Sequence, residues 1–136
     1  MCWQQNNILS DIGNVYCCGC NNNHRCGFDE PDKIIKPKLL PIKNKEKLIK
    51  VAVGALHTIM MDNRNQVHYF GFNNYGQFGT NNDNDIKQSF LPSIHSYFND
   101  NNIKIIDIDC QTGASLFIDD KNNGYMCGIN RYGMYI

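Results

Sequence analysis

The chain has 136 residues, the length of one ordinary domain. Its 13 basic and 13 acidic side chains balance, which excludes a global field that would draw the protein to nucleic acid or to an acidic membrane. The N-terminal residues form neither a basic nor a continuous apolar segment, and no apolar run approaches the ~20 residues of a membrane span. The 7 cysteines without an export signal are expected to be reduced, so we predict an intracellular protein of the cytoplasm or nucleus.

The predicted elements are short strands separated by turns. In chain order, residues 8–11 indicate a strand, and a lysine-rich stretch occupies residues 32–50. Residues 48–54 alternate apolar and polar side chains, which predicts a strand, and residues 58–62 and 66–72 predict two more. Residues 73–79 form a loop rich in glycine and asparagine, the residues that favour turns.

The second half of the chain repeats this order. Residues 90–94 match residues 39–42, residues 105–110 match the strand at 48–54, and residues 115–118 match the strand at 58–62. Asn122-Asn123-Gly124 predicts a hairpin with a type I′ turn, because Asn-Gly readily adopts positive φ angles. Helical periodicity is essentially absent, so the sequence predicts an all-β protein.

One phrase occurs three times along the chain. Val15-Tyr16-Cys17-Cys18-Gly19-Cys20-Asn21 returns as Val67-His68-Tyr69-Phe70-Gly71-Phe72-Asn73 and as Gly124-Tyr125-Met126-Cys127-Gly128-Ile129-Asn130. The central glycines, Gly19, Gly71 and Gly128, lie 52 and 57 residues apart. A period near fifty indicates a repeat architecture in which each unit holds about four strands, the content of one propeller blade.

The phrase and its surroundings resemble a known repeat. Gly54-Ala55-Leu56-His57-Thr58 followed by residues 67–79 is similar to the repeat of the RCC1 family (regulator of chromosome condensation), roughly G-x-x-H-T/S and then V-Y-x-W-G-x-N-x-x-G-Q-L-G. The resemblance implies a closed propeller of about seven blades for the family. This chain supplies a partial N-terminal repeat at residues 1–29, a repeat at 30–79 and a degenerate repeat at 80–136, which predicts a partial β-propeller of about two and a half four-stranded antiparallel blades.

The repeat-defining residues are expected to be structural, with glycines for tight turns and asparagines for loop hydrogen bonds. They are Gly19, Asn21, Gly27, Gly54, His57, Thr58, Gly71, Asn73, Tyr75, Gly76, Gln77, Gly79, Gly128, Asn130, Tyr132 and Gly133. We expect the ring of His57 to bond backbone at a blade turn. The outer units depart from the pattern, since His24 replaces the glycine seen as Gly76, and Gln111 and Ala114 stand where Gly54 and His57 stand.

The cysteine-rich segment admits a metal-binding alternative. Cys17, Cys20, His24 and Cys26 have spacings found in zinc sites, so a small zinc-binding module is one alternative function. In the repeat alignment, however, each of these cysteines stands where a sister unit has an apolar or aromatic residue. Packing of free cysteine as a small hydrophobe is therefore the preferred interpretation, with no metal and no cofactor. A nucleophilic pair of Cys26 and His24 is disfavoured, because the two are too close in sequence and lack an acid partner.

The lysine-rich stretch is the candidate contact region. It holds Lys33, Lys36, Lys38, Lys43, Lys45, Lys47 and Lys50, diluted by Asp29, Glu30, Asp32 and Glu46. Without interleaved aromatic residues, a solvated loop between blades is favoured over a nucleic-acid surface.

The sequence predicts a non-catalytic protein-interaction module. The resemblance implies relatives that act as guanine-nucleotide exchange factors for small GTPases, as chromatin binders or as scaffolds. We therefore expect a protein partner, with a small GTPase as the first candidate, ahead of chromatin or nucleic acid and with no membrane. Other chains or further blades would be needed to close the ring, and a non-functional fragment of a longer propeller protein is a further alternative.

Overall fold

The computed structural model describes residues 4–42, 46–80 and 88–129, and these residues form three antiparallel sheets. Sheet 1 contains β1 (Gln5–Leu9), β2 (Val15–Cys20) and β3 (Lys33–Leu39). Sheet 2 contains β4 (Leu48–Val53), β5 (His57–Asp62), β6 (Val67–Phe72) and β7 (Gln88–Ile94). Sheet 3 contains β8 (Ile105–Gln111), β9 (Ala114–Asp119) and β10 (Gly124–Gly128). A 3-10 turn (Asn22–His24) and a one-turn helix, α1 (Ser96–Asp100), lie in the connections.

The three sheets are copies of one arrangement. The same pairing recurs between β1 and β2, between β5 and β6 and between β9 and β10, as Gln5 opposite Gly19, His57 opposite Gly71 and Ala114 opposite Gly128. The three glycines have φ angles of 106°, 102° and 107°, the left-handed region that glycine enters without steric cost. The backbone paths through the repeated phrase therefore agree, and the all-β, partial-propeller prediction is confirmed.

The sequence repeat and the sheet are offset by one strand. Strand β3 lies within the predicted repeat at 30–79, yet it pairs with β2 and completes sheet 1. In the same way β7 pairs with β6 and completes sheet 2. The last strand of sheet 1 and the last strand of sheet 2 therefore each come from the beginning of the following sequence repeat. After that strand, the chain continues to the first strand of the next sheet.

The predicted match of residues 90–94 to residues 39–42 is wrong in register. Leu39 lies opposite Tyr16 and Ile94 lies opposite His68, and these are equivalent places in the two sheets. Residues 90–94 therefore correspond to residues 35–39, and Pro92 corresponds to Pro37. The repeated Leu-Pro pair misled the alignment, because pairing with the neighbouring strand sets the register.

The hairpin between β9 and β10 lies where the sequence predicts it, but the type I′ turn is wrong. Asn122 has a φ of 65°, whereas Gly124 already belongs to β10 and has no positive φ. The Asp119 carboxylate accepts the backbone N–H groups of Lys121 and Asn123, at 2.9 and 2.8 Å. A longer loop with one left-handed residue, closed by an aspartate, replaces the two-residue turn.

Two apolar cores lie between the sheets. The core between sheets 1 and 2 includes Val15, Cys17, Cys26, Leu48 and Phe70, all buried. The core between sheets 2 and 3 is rich in aromatic rings and includes Ile59, Tyr69, Phe78, Phe98 and Phe117. Each core is thus formed by the facing sides of two sheets, as expected for stacked blades.

In the three described ranges, no helix has both the length and the apolar character needed to cross a membrane.

Candidate interaction surface

The repeat histidine joins sheet 2 to sheet 3. His57 is fully buried, and its Nε2 lies 2.9 Å from the hydroxyl of Ser115 on β9. The Ser115 hydroxyl donates to the carbonyl oxygen of Gln77 at 2.7 Å, so it accepts from the Nε2–H group of His57. The ring thus bonds a side-chain hydroxyl in the next sheet, and the backbone of Ala114 is a second neighbour of the imidazole.

The same contact joins sheet 1 to sheet 2. Gln5 occupies the place of His57 in sheet 1, and its amide donates to the Thr58 hydroxyl at 3.1 Å. The Thr58 hydroxyl in turn approaches the carbonyl oxygen of Arg25 at 3.4 Å, the equivalent of the Gln77 carbonyl. The amide of Asn7 also donates to the Thr58 hydroxyl, at 3.2 Å. A buried hydroxyl that accepts from side-chain N–H groups of the preceding sheet and donates to a carbonyl is thus a repeated link between sheets.

Burial keeps the His57 ring neutral. Removal from water lowers the pKa of His57 to about 4, although the nearby backbone of Ala114 acts in the opposite direction. A neutral imidazole with its Nε2–H engaged by Ser115 is a structural hydrogen-bond donor at neutral pH. His57 therefore holds the sheets together and is unavailable to an external partner.

Gly54 makes room for the His57 ring. A Cβ at Gly54 would lie 2.3 Å from the ring carbon Cε1 and 2.5 Å from Nδ1. This contact explains why glycine precedes histidine by three residues in the repeat. In sheet 3 the histidine is replaced by Ala114 and the glycine by Gln111, so loss of the ring accompanies loss of the glycine.

The asparagines that end the phrase organise the loops that follow. The Oδ1 atom of Asn21 accepts the backbone N–H of Cys26 at 3.0 Å, and Oδ1 of Asn73 accepts that of Phe78 at 2.8 Å. Each loop then places a buried side chain, Cys26 or Phe78, in the core between two sheets.

The remaining phrase residues are distributed around these loops. Gly27 and Gly79 have φ angles of 75° and 67°, in the left-handed region. Gly76 has a φ of 71°, and His24 adopts the equivalent conformation with a φ of 57°, which explains how histidine replaces that glycine without changing the loop. Tyr75 is exposed. Asn130, Tyr132 and Gly133 lie outside the described residues.

Two buried aspartates are structural residues that the sequence analysis did not single out. Asp62 accepts the backbone N–H groups of Arg64 and Gln66, both at 2.9 Å, and its second oxygen lies 2.8 Å from Nε2 of His68. In sheet 3, Asp119 closes the equivalent turn, and hydrogen bonds led by the Asn123 side chain lower the pKa of Asp119 to about 2. The sequence could have identified both residues, because an aspartate precedes each of the two turns.

The cysteine segment packs in the core between sheets 1 and 2. Cys17, Cys20 and Cys26 are fully buried, and the Cys26 thiol donates to the carbonyl oxygen of Cys20 at 3.2 Å. A hydrogen bond from Cys17 lowers the pKa of Cys26, while the same contact and burial raise that of Cys17. Across the described residues, no three His, Cys, Asp or Glu side chains are grouped to hold a metal ion.

His24 is engaged away from the Cys26 sulfur. Its Nδ1 lies 3.2 Å from the carbonyl oxygen of Phe28, and the Cys26 thiol is turned to the backbone of Cys20. This geometry does not form the paired base and nucleophile of a catalytic dyad.

The lysine-rich stretch contains an exposed edge strand. Strand β3 is the outermost strand of sheet 1, and Lys33, Lys36 and Lys38 on it are exposed. Ile35 is 82% exposed and Leu39 is 50% exposed, so exposed apolar side chains lie next to cations along this strand. We call Lys33–Leu39 the basic strand.

The other lysines of the stretch are set apart from the basic strand. Lys50 forms an ion pair with Asp107, which lowers the pKa of that carboxyl. Lys47 is exposed just before β4, and Lys43 and Lys45 lie outside the described residues. The described part of the predicted basic region is therefore divided between an exposed strand and a contact between sheets 2 and 3.

Comparison with known proteins agrees with the repeat. The model of the regulator of chromosome condensation (RCC1) repeat matches residues 13–61 and 64–118. An RCC1 domain-containing protein of Dictyostelium discoideum is 31% identical, over 93% of this chain and 30% of that protein. A protein RCC2 homolog of Danio rerio is 29% identical, over 93% of this chain and 24% of its own length. The chain thus spans about a third or less of the curated relatives it matches.

Solved structures show the same fold. Human WBSCR16 superposes with a TM-score of 0.81 at 19% identity, over 93% of this chain and 31% of that one. Yeast RCC1 (Prp20), solved bound to Kap60, also gives a TM-score of 0.81, at 16% identity and over 93% and 30% of the two chains. Because the repeat model matches two stretches that together make up most of the chain, this chain belongs to the RCC1 repeat family, and its sheets form part of the family's propeller.

Proposed function

We propose that this chain is a non-catalytic protein-interaction module that binds an acidic protein surface through the basic strand. The observation that carries the proposal is the exposure of Lys33, Lys36 and Lys38 beside the exposed Ile35 and Leu39. Apolar side chains bracketed by cations on one edge strand match the mixed character of a protein interface. The repeat histidine and hydroxyls are occupied inside the protein, which leaves recognition to such surface strands and loops.

A small GTPase is the first partner class to test. A yeast relative of this fold, Prp20p, is described by its binding to Gsp1p and to histones. The basic strand favours an acidic partner over basic histones, because opposite charges steer association. Acceleration of nucleotide release is not part of the proposal.

The binding experiment compares three immobilised probes: a GDP-loaded small GTPase, a core histone dimer and double-stranded DNA. We expect saturable binding to the GTPase that falls at least tenfold when Lys33, Lys36 and Lys38 are all changed to Glu. The matched control changes exposed cations elsewhere, Lys104, Lys121 and Arg64, to Glu, and should retain affinity. Equal loss in both variants, or binding to DNA alone, would contradict the proposal.

A nucleotide-release assay tests the non-catalytic part separately. We expect release of a fluorescent GDP analogue from the same GTPase to proceed at its intrinsic rate when this chain is added in substoichiometric amounts. Accelerated release at such concentrations would show exchange activity and overturn this part of the proposal. Binding without acceleration is the expected combination.

A further inference from the structure

A cavity of about 310 Å³ lies between sheets 2 and 3, where the hairpin turn of sheet 2 meets the connection that leads into sheet 3. Arg64 and Asn65, in the turn between β5 and β6, line one part of it, and Lys104, the residue before β8, lines another. The other lining residues belong to α1 or to the segment that joins α1 to β8. We call this cavity the turn cavity. It exists because two neighbouring sheets stack, and no strand edge forms part of it.

The two cations of the turn cavity come from different sheets and occupy regular places in the repeat. Arg64 and Lys121 each lie two residues after a turn aspartate, Asp62 or Asp119, and donate their backbone N–H to its carboxylate at 2.9 Å. Lys121 is therefore the counterpart of Arg64 in sheet 3, and it does not line the cavity. Lys104 immediately precedes the first strand of sheet 3. Stacking thus brings one cation from each sheet to the same cavity.

The turn cavity has an excess of positive charge. Arg64 and Lys104 are exposed, and none of the residues that line the cavity is acidic. Glu46, outside the lining, is the carboxylate paired with Arg64, whose Nη2 lies 2.8 Å from its Oε1. The Arg64 side chain is 70% exposed, and ion pairs of exposed side chains are weak. Arg64 can therefore exchange Glu46 for an anion that carries more charge.

Three asparagines add neutral hydrogen-bond donors to the turn cavity. Among the described residues, the side-chain amides of Asn65, Asn99 and Asn102 form no hydrogen bond, so their N–H groups are free to donate. The backbone around them is fixed by turns. The N–H of Asn65 donates to the carbonyl oxygen of Asp62 at 2.9 Å, and that of Asn102 donates to the carbonyl oxygen of Asn99 at 3.1 Å. The donors are thus held close together before any ligand binds, which lowers the entropy cost of binding.

We propose that the turn cavity binds a phosphate monoester, carried by a phosphorylated side chain of a partner protein, or free phosphate. Two cations and three amide donors match a group with nearly two negative charges and three strong acceptor oxygens. The guanidinium of Arg64 can contact two of these oxygens, and the ammonium of Lys104 acts as a compact point charge. Phe98 and Ile103 pack in the core between sheets 2 and 3 and form the apolar part of the cavity, where such contacts are strengthened.

The binding experiment compares four probes that differ in charge. They are the peptide acetyl-Gly-Gly-phosphoserine-Gly-Gly-amide, the same peptide with serine or glutamate at its centre, and inorganic phosphate. Each is titrated into the 15N-labelled full chain at physiological ionic strength, and the side-chain amide signals of Asn65, Asn99 and Asn102 are followed by NMR. We expect saturable shifts with the phosphoserine peptide, none with the serine peptide, and binding of the glutamate peptide that is at least about fivefold weaker.

Inorganic phosphate distinguishes the two sources of the ligand. Tighter binding of the phosphoserine peptide than of inorganic phosphate would assign the site to a phosphorylated protein, and equal binding would assign it to free phosphate. Either result supports the turn cavity as a phosphate site. Equal binding of the phosphoserine and glutamate peptides, no saturable binding, or shifts confined to residues outside the cavity would each overturn the proposal.

Two charge-matched double variants locate the site. Arg64→Gln with Lys104→Gln should weaken binding of the phosphoserine peptide at least about tenfold. Lys36→Gln with Lys121→Gln removes two exposed cations that do not line the cavity and should bind like the original chain. Glu46→Gln frees Arg64 and should strengthen binding about threefold. An equal loss in the two double variants would contradict the proposal.

The phosphate site and the GTPase-binding surface can fail separately. The basic strand lies on sheet 1, whereas the turn cavity lies between sheets 2 and 3. The variant with Lys33, Lys36 and Lys38 changed to Glu should therefore keep its affinity for the phosphoserine peptide. The variant with Arg64, Lys104 and Lys121 changed to Glu should lose this affinity and still bind the GTPase.

Discussion

His57 makes stability depend on pH. Its pKa is lowered to about 4 in the folded protein, and its ordinary value is 6.5. The unfolded chain therefore binds more protons between these values, so stability is full above pH 6.5 and is lost as the pH falls towards 4. Burial also lowers the pKa of His95, so His95 likewise contributes a loss of stability as the pH falls.

The substitution His57→Gln tests this linkage, because Gln5 fills the same place in sheet 1. Between pH 7.5 and 5.0 we expect the original chain to lose about 2 kcal/mol more free energy of unfolding than the variant. Urea unfolding at the two pH values measures the difference. The same pH dependence in both proteins would show that His57 is not held neutral by burial.

The Ser115 hydroxyl is expected to be more important than its size suggests. Ser115→Ala would leave the Nε2–H of His57 without its partner inside a core, and the carbonyl oxygen of Gln77 would keep only the thiol of Cys127 as a donor. We expect a loss of roughly 1–3 kcal/mol in the free energy of unfolding. The control is Ser115→Thr, because Thr58 performs the same task, and it should stay within about 1 kcal/mol of the original chain. Equal destabilisation by Ala and Thr would contradict this role.

At the residue scale, the sequence predicted backbone conformation better than it predicted hydrogen-bond partners. The alignment placed Gly19, Gly71 and Gly128 together, and their φ angles agree because a repeated phrase encodes a repeated turn. It did not identify Ser115 as the partner of His57, since the two lie 58 residues apart and meet only when the sheets stack. Partners across a sheet boundary depend on tertiary packing and leave no local pattern.

The hairpin of β4 and β5 depends on close contact between Gly54 and His57. Gly54→Ala would place a methyl group against the ring and against the carbonyl oxygen of Gln111, which a Cβ would approach to 2.6 Å. We expect a loss of roughly 1–3 kcal/mol, as for overpacking. In the double variant Gly54→Ala, His57→Ala, the loss should be smaller than the sum of the two single losses, because the ring is absent. Strict additivity in thermal or urea unfolding would refute the contact.

At the element scale, strand positions were predictable and strand register was not. The alternation in residues 48–54 and the runs at 58–62 and 66–72 predicted β4, β5 and β6. The match of Pro92 to Pro41 failed because both follow a leucine, and composition alone does not specify which residue lies opposite Tyr16 or His68. Hydrogen bonding between strands decides register, and a single sequence does not record it.

For the whole molecule, the cysteines are expected to stabilise by packing. Cys17, Cys20 and Cys26 are buried within or beside an apolar core, where a small thiol behaves as a hydrophobic side chain. We expect purified protein to contain far less than one zinc ion per chain, and a chelator to leave the unfolding midpoint unchanged. Elemental analysis and thermal unfolding measure these quantities. Stoichiometric zinc whose removal unfolds the chain would establish the zinc-binding alternative.

Because sheets 1 and 2 each take strands from two successive repeats, the repeat at residues 30–79 is not a unit that can fold with a complete sheet of its own. A fragment that consists of residues 30–79 alone would contain β3 without its partner strand β2, and β6 without its partner strand β7. If one repeat is inserted or lost during evolution, the sheets stay complete only when the two ends of the inserted or deleted segment lie at equivalent positions of successive repeats. Gene fragments intended for expression should accordingly begin before β4 and end after β7, so that the fragment retains a sheet with all four of its strands.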